Sequence, residues 1–320
     1  MQVNKDKNVI IIGYGSIGQR HFSILKSEFC VNRIDIVSKH SIENSSGHRY
    51  ESIENINEWN IYDYIIIASE THKHYEQLLY VQQNVKSKTI LVEKPIFCPD
   101  YTMQKLNNNA VFVAYNLRFH KIIQSLKELI SKENPIFVNV ISAQYMPNWR
   151  PGRDYRTTYS ASLEKGGGVL LDLSHEVDYI QWLFGRIDIQ EIKSYNSKMS
   201  GLEIKSDDFV YLIGKTEKGI MFNLSMDYLS KIPIRTITIQ TDNKTIIADL
   251  VKNTIVMRDL INPPDTMEFT DIGRNDTYIE MHKNILSNDT ANLCNFDDGI
   301  SVLDVVSEIR NENKHLLMNI

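Results

Sequence analysis

Val9-Ile10-Ile11-Ile12-Gly13-Tyr14-Gly15-Ser16-Ile17-Gly18 decides the fold. Four apolar residues in a row read as a buried strand. The next six fit GxGxxG and open a helical pattern over residues 17–28. In that context each glycine has its own task. Gly13 permits the tight turn, Gly15 lets backbone approach a pyrophosphate, and Gly18 lets helix and strand pack closely. The helix start, with Ser16 and Ile17, offers free N–H groups and a positive dipole end to phosphates. Outward from this turn, short apolar runs recur at 34–37, 64–68, 89–92 and 111–114, with a second helical pattern at 71–84. Apolar strands alternating with helices predict a doubly wound parallel sheet covered on both faces, a Rossmann-type α/β domain.

The pattern changes after Arg118. Residues 119–130 read as a helix, 136–144 alternate, and Gly166-Gly167-Gly168 precedes a helix over 170–184. From 187 to 270 the signals are almost all strand, at 210–212, 220–226, 234–240, 245–250 and 254–257, separated by turn formers such as Lys218-Gly219 and Asp242-Asn243. Such a run predicts a second, α+β domain with a large, open, mainly antiparallel sheet. An amphipathic helix over 300–309 follows. The expected division is 1–118 for NAD(P) binding, 119–296 for substrate and oligomerisation, and 297–320 as a C-terminal helix packing back on the first domain.

Composition narrows the function classes. The 320 residues are 42% hydrophobic and 23% charged, an ordinary globular mix. The net charge of −5 disfavours a nucleic-acid partner, which needs a basic face. Cys30, Cys98 and Cys294 are odd in number, far apart and without a CxxC pair, so reduced thiols and no metal site are expected. The start, MQVNKDKNVIIIGYG, has too short an apolar run for a signal peptide or a membrane span, and no other segment approaches eighteen continuous apolar residues. A cytoplasmic protein without a membrane partner is the expectation.

The end of the second strand selects the nucleotide. Asp35 lies within the strand, too early to bond a ribose. The tip is Ser38-Lys39, a hydroxyl and a cation that suit a 2′-phosphate, so NADP is expected, with NAD possible. A solvated Lys39 in an enzyme that takes either nucleotide is the competing reading.

Four further segments carry a family resemblance: Ala68-Ser69-Glu70-Thr71-His72-Lys73-His74; Val92-Glu93-Lys94-Pro95; Ala114-Tyr115-Asn116-Leu117-Arg118-Phe119; and Gly166-Gly167-Gly168 leading to Asp172-Leu173-Ser174-His175-Glu176. Together with the glycine turn they resemble the Gfo/Idh/MocA family, which includes glucose–fructose oxidoreductase and inositol dehydrogenase. The resemblance implies an N-terminal Rossmann domain, a C-terminal open sheet with the active site between them, subunits packed through that sheet as a homodimer or homotetramer, and Lys94, Asp172 and His175 as the residues of the chemistry. It also implies a cofactor site that includes Ser69, His74, Glu93 and Lys94, and a cis peptide before Pro95. One departure is that two residues, not the three of many members, separate Asp172 from His175; on a helix, positions three apart still share a face.

The residue types fit hydride transfer at a carbinol. An imidazole's ordinary pKa is close to neutrality, so His175 suits a general base, while Lys94 suits the developing alkoxide. Asp172 either holds the imidazole or bonds a neighbouring sugar hydroxyl. His72 and His74 could equally cap the helix that begins near Thr71. The connection 145–159 holds Trp149, Arg150, Arg153, Tyr155, Arg156 and Tyr159. Arginine matches carboxylate and phosphate, and aromatics stack on sugars, so these residues, with Arg118, are expected to bind an anionic or nucleotide-activated sugar. A subunit contact is the alternative for the same loop. This loop with DLSHE also resembles a branch associated with surface-polysaccharide biosynthesis. The expected activity is thus an NAD(P)-dependent sugar dehydrogenase or ketose reductase. The alternatives are a redox-neutral enzyme with transient oxidation by bound nucleotide, and a non-catalytic sugar sensor.

Overall fold

The computed structural model describes residues 7–39, 47–99, 101, 103 and 107–317. The charged start of the N-terminal reading and the last three residues of the expected C-terminal helix lie outside the described residues. The chain divides into two compact units: 1–119 with 274–300, and 120–273 with 301–320.

The first unit begins with β1 (Asn8–Ile12) and α1 (Ser16–Glu28). It continues with β2 (Arg33–Val37), β3 (Arg49–Tyr50), β4 (Tyr64–Ile67), α2 (His74–Asn84), β5 (Thr89–Val92) and β6 (Ala110–Val113). Isoleucine and valine runs form these strands because both sheet faces are covered. The sheet order is β6-β5-β4-β1-β2-β3, all parallel. The order reverses direction beside β1, so the crevice at the carboxyl ends of β1 and β4 is where such a sheet takes a ligand. Phe22, Ile24 and Leu25 of α1 seal one face against Val9, Ile11, Ile34 and Ile66.

The second unit opens with α3 (Lys121–Ile130) and β7 (Pro135–Ala143). After a long connection come α4 (Val169–Asp172) and α5 (His175–Phe184). Then follow β8 (Lys193–Ser197), β9 (Phe209–Lys215), β10 (Met221–Asp227), β11 (Ile234–Thr241), β12 (Thr245–Asp249), β13 (Thr254–Arg258) and β14 (Asp265–Glu268). The eight strands run β14-β13-β12-β11-β7-β10-β9-β8. All pairs are antiparallel except β7 with β10, a parallel pair at the centre. One face is apolar and buried, with Val138, Val140, Leu212, Leu224, Ile237 and Ile246.

The chain then returns to the first unit as α6 (Asp276–Leu286) and β15 (Cys294–Asn295), which adds antiparallel to β6. It ends in α7 (Phe296–Glu312) and α8 (Lys314–Leu317). Two expectations need correction. Residues 274–300 belong to the first unit rather than the second. The first turn of α7, to Ile300, falls in the first unit, and from Ser301 onward the helix falls in the second: Ser301 donates to Gln181, and Asn313 to Ser194. No helix of the described residues is long and apolar enough to cross a membrane.

Candidate active site

The three glycines of the first turn meet three different constraints. Gly13 has φ +96°, and a side chain there would start 2.7 Å from the Ser69 nitrogen, on the loop after β4. At Gly18 it would start 2.1 Å from the Gly13 carbonyl oxygen, so α1 could not close on the turn. At Gly15 it would meet nothing within 4 Å. The second glycine therefore faces open space beside a helix start that has no side-chain cap and no acid in its first turn. That is the room and polarity a diphosphate requires.

The other cofactor candidates stand at the same carboxyl edge of the sheet. Ser38 follows β2 and Lys39 is exposed beyond it. Arg49, missed in the sequence reading, donates to the Ser38 carbonyl at 2.9 Å and adds a second cation there. Asp35 is fully buried and accepts from Tyr62 Oη, the His48 N–H and Arg33. It is a structural knot, as its position within the strand suggested. Ser69 donates to Gln77. His74 is enclosed, with its ring nitrogens 3.0 Å from the Pro95 carbonyl and 3.1 Å from that of Ser69. Burial lowers its pKa while the two carbonyls oppose that shift; the neutral ring donates to one of them, and only the protonated ring donates to both, between the loop after β4 and the one after β5. It braces the two loops at the edge where the cofactor residues gather.

Glu93-Lys94-Pro95 leaves the end of β5, and the Lys94–Pro95 peptide is cis. Lys94 is half-buried. Glu93 is buried and accepts from His21 Nε2 at 2.9 Å, a contact that joins this motif to α1. Arg118 is 3% exposed and donates to the Leu293 carbonyl and to Asp298, all within the first unit. It pins β15 and the start of α7.

In the second unit the triple glycine has a local cause. Gly168 has φ +106°, and a side chain there would start 2.1 Å from Asp207 Oδ1. Asp207 Oδ2 accepts from the Leu170 N–H at 2.9 Å, anchoring the start of α4. Burial, opposed by Arg310 and reinforced by Asp172, pushes Asp207 up to about 6. Asp172 ends α4 and His175 starts α5, with Leu173 and Ser174 breaking the helix between them. The shared helix face inferred from spacing is therefore not what relates them. Asp172 instead accepts from Tyr228 Oη at 2.6 Å and from Tyr159. The carboxylate, then burial, raises the Tyr159 pKa; for Tyr228 burial comes first. Both phenols thus remain donors at neutral pH. Trp149 stands edge-on to Tyr228, with ring centres 4.9 Å apart.

The loop 145–159 forms a shallow, open depression lined by Trp149, Arg150, Arg153, Tyr155, Thr158 and Ser160. Arg150 and Arg153 are exposed, and Tyr155 bonds the Glu203 N–H through its hydroxyl. Arg156 is also exposed, and Asp154 and Glu203 hold it from two sides, bracing the loop. Tyr159 serves Asp172. Among the described residues no group of three or more histidine, cysteine or acidic side chains could hold a metal.

Family models match both parts of the chain: an oxidoreductase family's NAD-binding Rossmann fold over residues 7–114, and its C-terminal alpha/beta domain over residues 127–315. An uncharacterized oxidoreductase of Synechocystis is 29% identical over 128 residues, 38% of this chain and 34% of that relative's length. The fold is similar to UDP-N-acetylglucosamine 3-dehydrogenase from Acidithiobacillus ferrooxidans (TM-score 0.75, 15% identity, covering 98% of this chain and 99% of the other). A levoglucosan dehydrogenase solved with NADH and levoglucosan has a TM-score of 0.81 at 15% identity, over 97% and 98%. A Bordetella pertussis dehydrogenase, WlbA, solved with NADH and UDP-GlcNAcA, has 0.74 at 16% identity, over 97% of each chain.

Proposed function

The chain belongs to the Gfo/Idh/MocA oxidoreductase family, and from that premise we propose that it moves a hydride between a nicotinamide nucleotide and a carbinol or ketone carbon of an anionic or nucleotide-activated sugar. The nucleotide, when bound, supplies or accepts the hydride; the protein's task is to hold it and to manage charge and protons. Gly13, Gly15, Gly18 and the N-terminal turn of α1 would hold the diphosphate, with Ser16 and Ile17 giving N–H groups. Ser38, Lys39 and Arg49 would meet the adenosine ribose, and their two cations favour NADP over NAD. In this reading Lys94 donates to the substrate oxygen and stabilises it as the proton leaves, and His175 takes that proton. Asp172, oriented by Tyr159 and Tyr228, accepts from a neighbouring sugar hydroxyl.

The observation that carries the substrate class is the contact chain Asp172–Tyr228–Trp149, which ties the candidate chemistry to the depression holding Arg150 and Arg153 within one unit. Two exposed arginines beside an aromatic wall suit a carboxylate or diphosphate next to a sugar ring. Two of the structural relatives are named for, or were solved with, UDP-sugars, which supports the same class. A role in making surface polysaccharide and a cytoplasmic site of action go with this reading.

The test is single-turnover hydride transfer with NADP and UDP-sugars or uronic acids, followed at the nicotinamide absorbance band. Lys94→Ala and His175→Ala should each slow turnover by roughly a hundred- to ten-thousand-fold while nucleotide binding persists. The double variant should be little worse than the poorer single one, since residues acting as a unit are not additive. Near-native turnover in both single variants would misplace the chemistry. Bound nucleotide that never exchanges hydride with any sugar would remove the dehydrogenase reading.

A further inference from the structure

A row of four buried polar groups runs from β4 to the end of β5 through two helices. Tyr64 Oη lies 3.0 Å from His282 Nδ1, His282 Nε2 lies 2.9 Å from His21 Nδ1, and His21 Nε2 lies 2.9 Å from Glu93 Oε1. Tyr64, His21 and His282 are at most 1% exposed. Each carbon-lined neighbour would have been cheaper to bury than these polar groups, so the row needs a reason.

Proton counting gives the row a direction. An ionised Glu93 only accepts, so His21 Nε2 donates to it. With both imidazoles neutral, His21 Nδ1 accepts from His282 Nε2–H, and His282 Nδ1 accepts from the Tyr64 hydroxyl. Every polar atom in the row is then satisfied, and all three bonds point toward the carboxylate. If His21 takes a second proton, the two bonds beyond it reverse, yet Glu93 still receives the same N–H. Burial, with His21 next, keeps His282 well below the ordinary imidazole pKa, so it stays neutral in either case. The row ends at a phenol buried from water and raised far above its ordinary pKa, first by burial and then by Glu93. It therefore delivers no proton to solvent. What it does is hold one carboxylate.

The other groups around Glu93 fit that task. Its Oε2 accepts from the Lys94 N–H at 3.3 Å. Its charge bears on His74 of α2 and on Tyr278 of α6, and Arg20 of α1 packs over the Tyr278 ring at 5.3 Å. Glu93 is thus a fixed anion at the carboxyl edge of the parallel sheet, adjacent in sequence to the candidate catalytic lysine. A nicotinamide ring is cationic when oxidised and neutral when reduced, so a fixed anion at this edge favours the oxidised form.

We propose that His21, His282 and Tyr64 are positioning residues that keep Glu93 an oriented carboxylate at the cofactor end of β5, and that this carboxylate sets the enzyme's preference for oxidised over reduced nucleotide. The proposal rests on the reading of Glu93 as part of the cofactor site.

The experiment measures dissociation constants of NADP+ and NADPH, and of NAD+ and NADH, by calorimetric titration of the full chain between about pH 6 and pH 8, the range in which a poorly held buried carboxyl titrates. The 2′-phosphate titrates in both redox forms and cancels in their ratio. The wild-type ratio should be flat with pH. Glu93→Gln should weaken the oxidised form relative to the reduced one by roughly tenfold at every pH, about 1.4 kcal/mol. His21→Leu removes the donor that orients the carboxylate. Its ratio should move toward that of Glu93→Gln. His21→Gln, which keeps an N–H, should restore the wild-type ratio. Tyr64→Phe, which removes one hydroxyl and preserves packing, should shift the ratio in the same direction by less and covers the case in which His21→Leu does not fold. A merely structural row would lower thermal stability and leave the ratio alone. If Glu93→Gln shifts the ratio while His21→Leu and Tyr64→Phe keep the flat wild-type profile, the positioning role is overturned and the cofactor reading stands. If Glu93→Gln leaves the ratio unchanged, the placement of Glu93 at the cofactor is wrong and the proposal falls with it.

Discussion

Lys39 stands exposed past the end of β2, with Arg49 bonded to the carbonyl just before it. If both cations meet a 2′-phosphate, Lys39→Ala should weaken NADP by roughly tenfold and NAD hardly at all, and adding Arg49→Ala should widen the gap. Equal losses for both nucleotides in calorimetry would return both side chains to the solvated surface. Asp207 allows a prediction of a different kind. Its folded pKa, about 6, lies above the ordinary carboxyl value, so between about pH 4 and 6 the folded state binds the extra proton. Stability therefore falls as pH rises through that window, by about 3 kcal/mol for a shift of this size in a fully buried group, and is constant above it. Asp207→Asn keeps an acceptor for the Leu170 N–H and should flatten this slope in thermal unfolding of the second unit; an unchanged slope would assign it to another group. These residues also mark the limit of reading from sequence. The strand–turn–helix around Gly13, Gly15 and Gly18, and Glu93-Lys94-Pro95 at the end of a strand, were legible because their motifs are local in the chain. Asp207, Tyr228, His21 and His282 were not, because each gains its meaning from a partner far away in sequence, Tyr228 from Asp172 and His282 from His21.

At the scale of elements, α5 is where chain-local inference went astray and where a contact restores order. The segment reads as one helix, and the structure breaks it between Asp172 and His175 because Asp207 and the Gly168 backbone fix the start of α4 separately. The start of α5 is held instead by Glu176, fully buried, which accepts from Arg235 Nε of β11 at 2.8 Å. Glu176 is fully buried while the Arg235 side chain is 26% exposed, so Arg235→Leu leaves a buried carboxylate uncompensated and should cost about 3 kcal/mol, the low end for a buried pair. The double change Glu176→Gln with Arg235→Leu should recover most of that loss. Chemical denaturation gives both numbers, and equal destabilisation by the single and the double variant would show that the pair matters only for packing. Helix α6 went unassigned for a related reason. Its buried side includes Thr277, Tyr278 and His282, so the apolar stripe that signals a helix is interrupted by the groups that bond Asn116 and the histidine row.

For the whole molecule, the eight-stranded sheet raises the question of what covers its second face. Buried Val210 and Leu212 alternate with exposed Tyr211 and Ile213 on β9. Register places Tyr195 directly opposite Tyr211. One row crosses the sheet from Ile247 through Thr238, Asn139 and Asn223 to Ile213. Met221 and Ile234 on this face are exposed as well. An antiparallel sheet can leave one face to water; this one sets exposed isoleucine, tyrosine and methionine among threonine and asparagine, with charges such as Lys193 and Lys215 near the β8–β9 edge. A second copy of the chain is the partner such a face fits, because a two-fold axis lets one patch complement itself. The expectation is a dimer, or a tetramer built from it, in multi-angle light scattering at micromolar concentration. Ile213→Lys combined with Ile247→Lys puts two charges on the row without touching the buried face. It should shift the mass toward the monomer, while Gly15 and its neighbours in the other unit still bind nucleotide with unchanged affinity. A wild-type chain that scatters as a monomer would leave the apolar face to some other partner. A charged double variant that keeps the wild-type mass would place the subunit contact elsewhere.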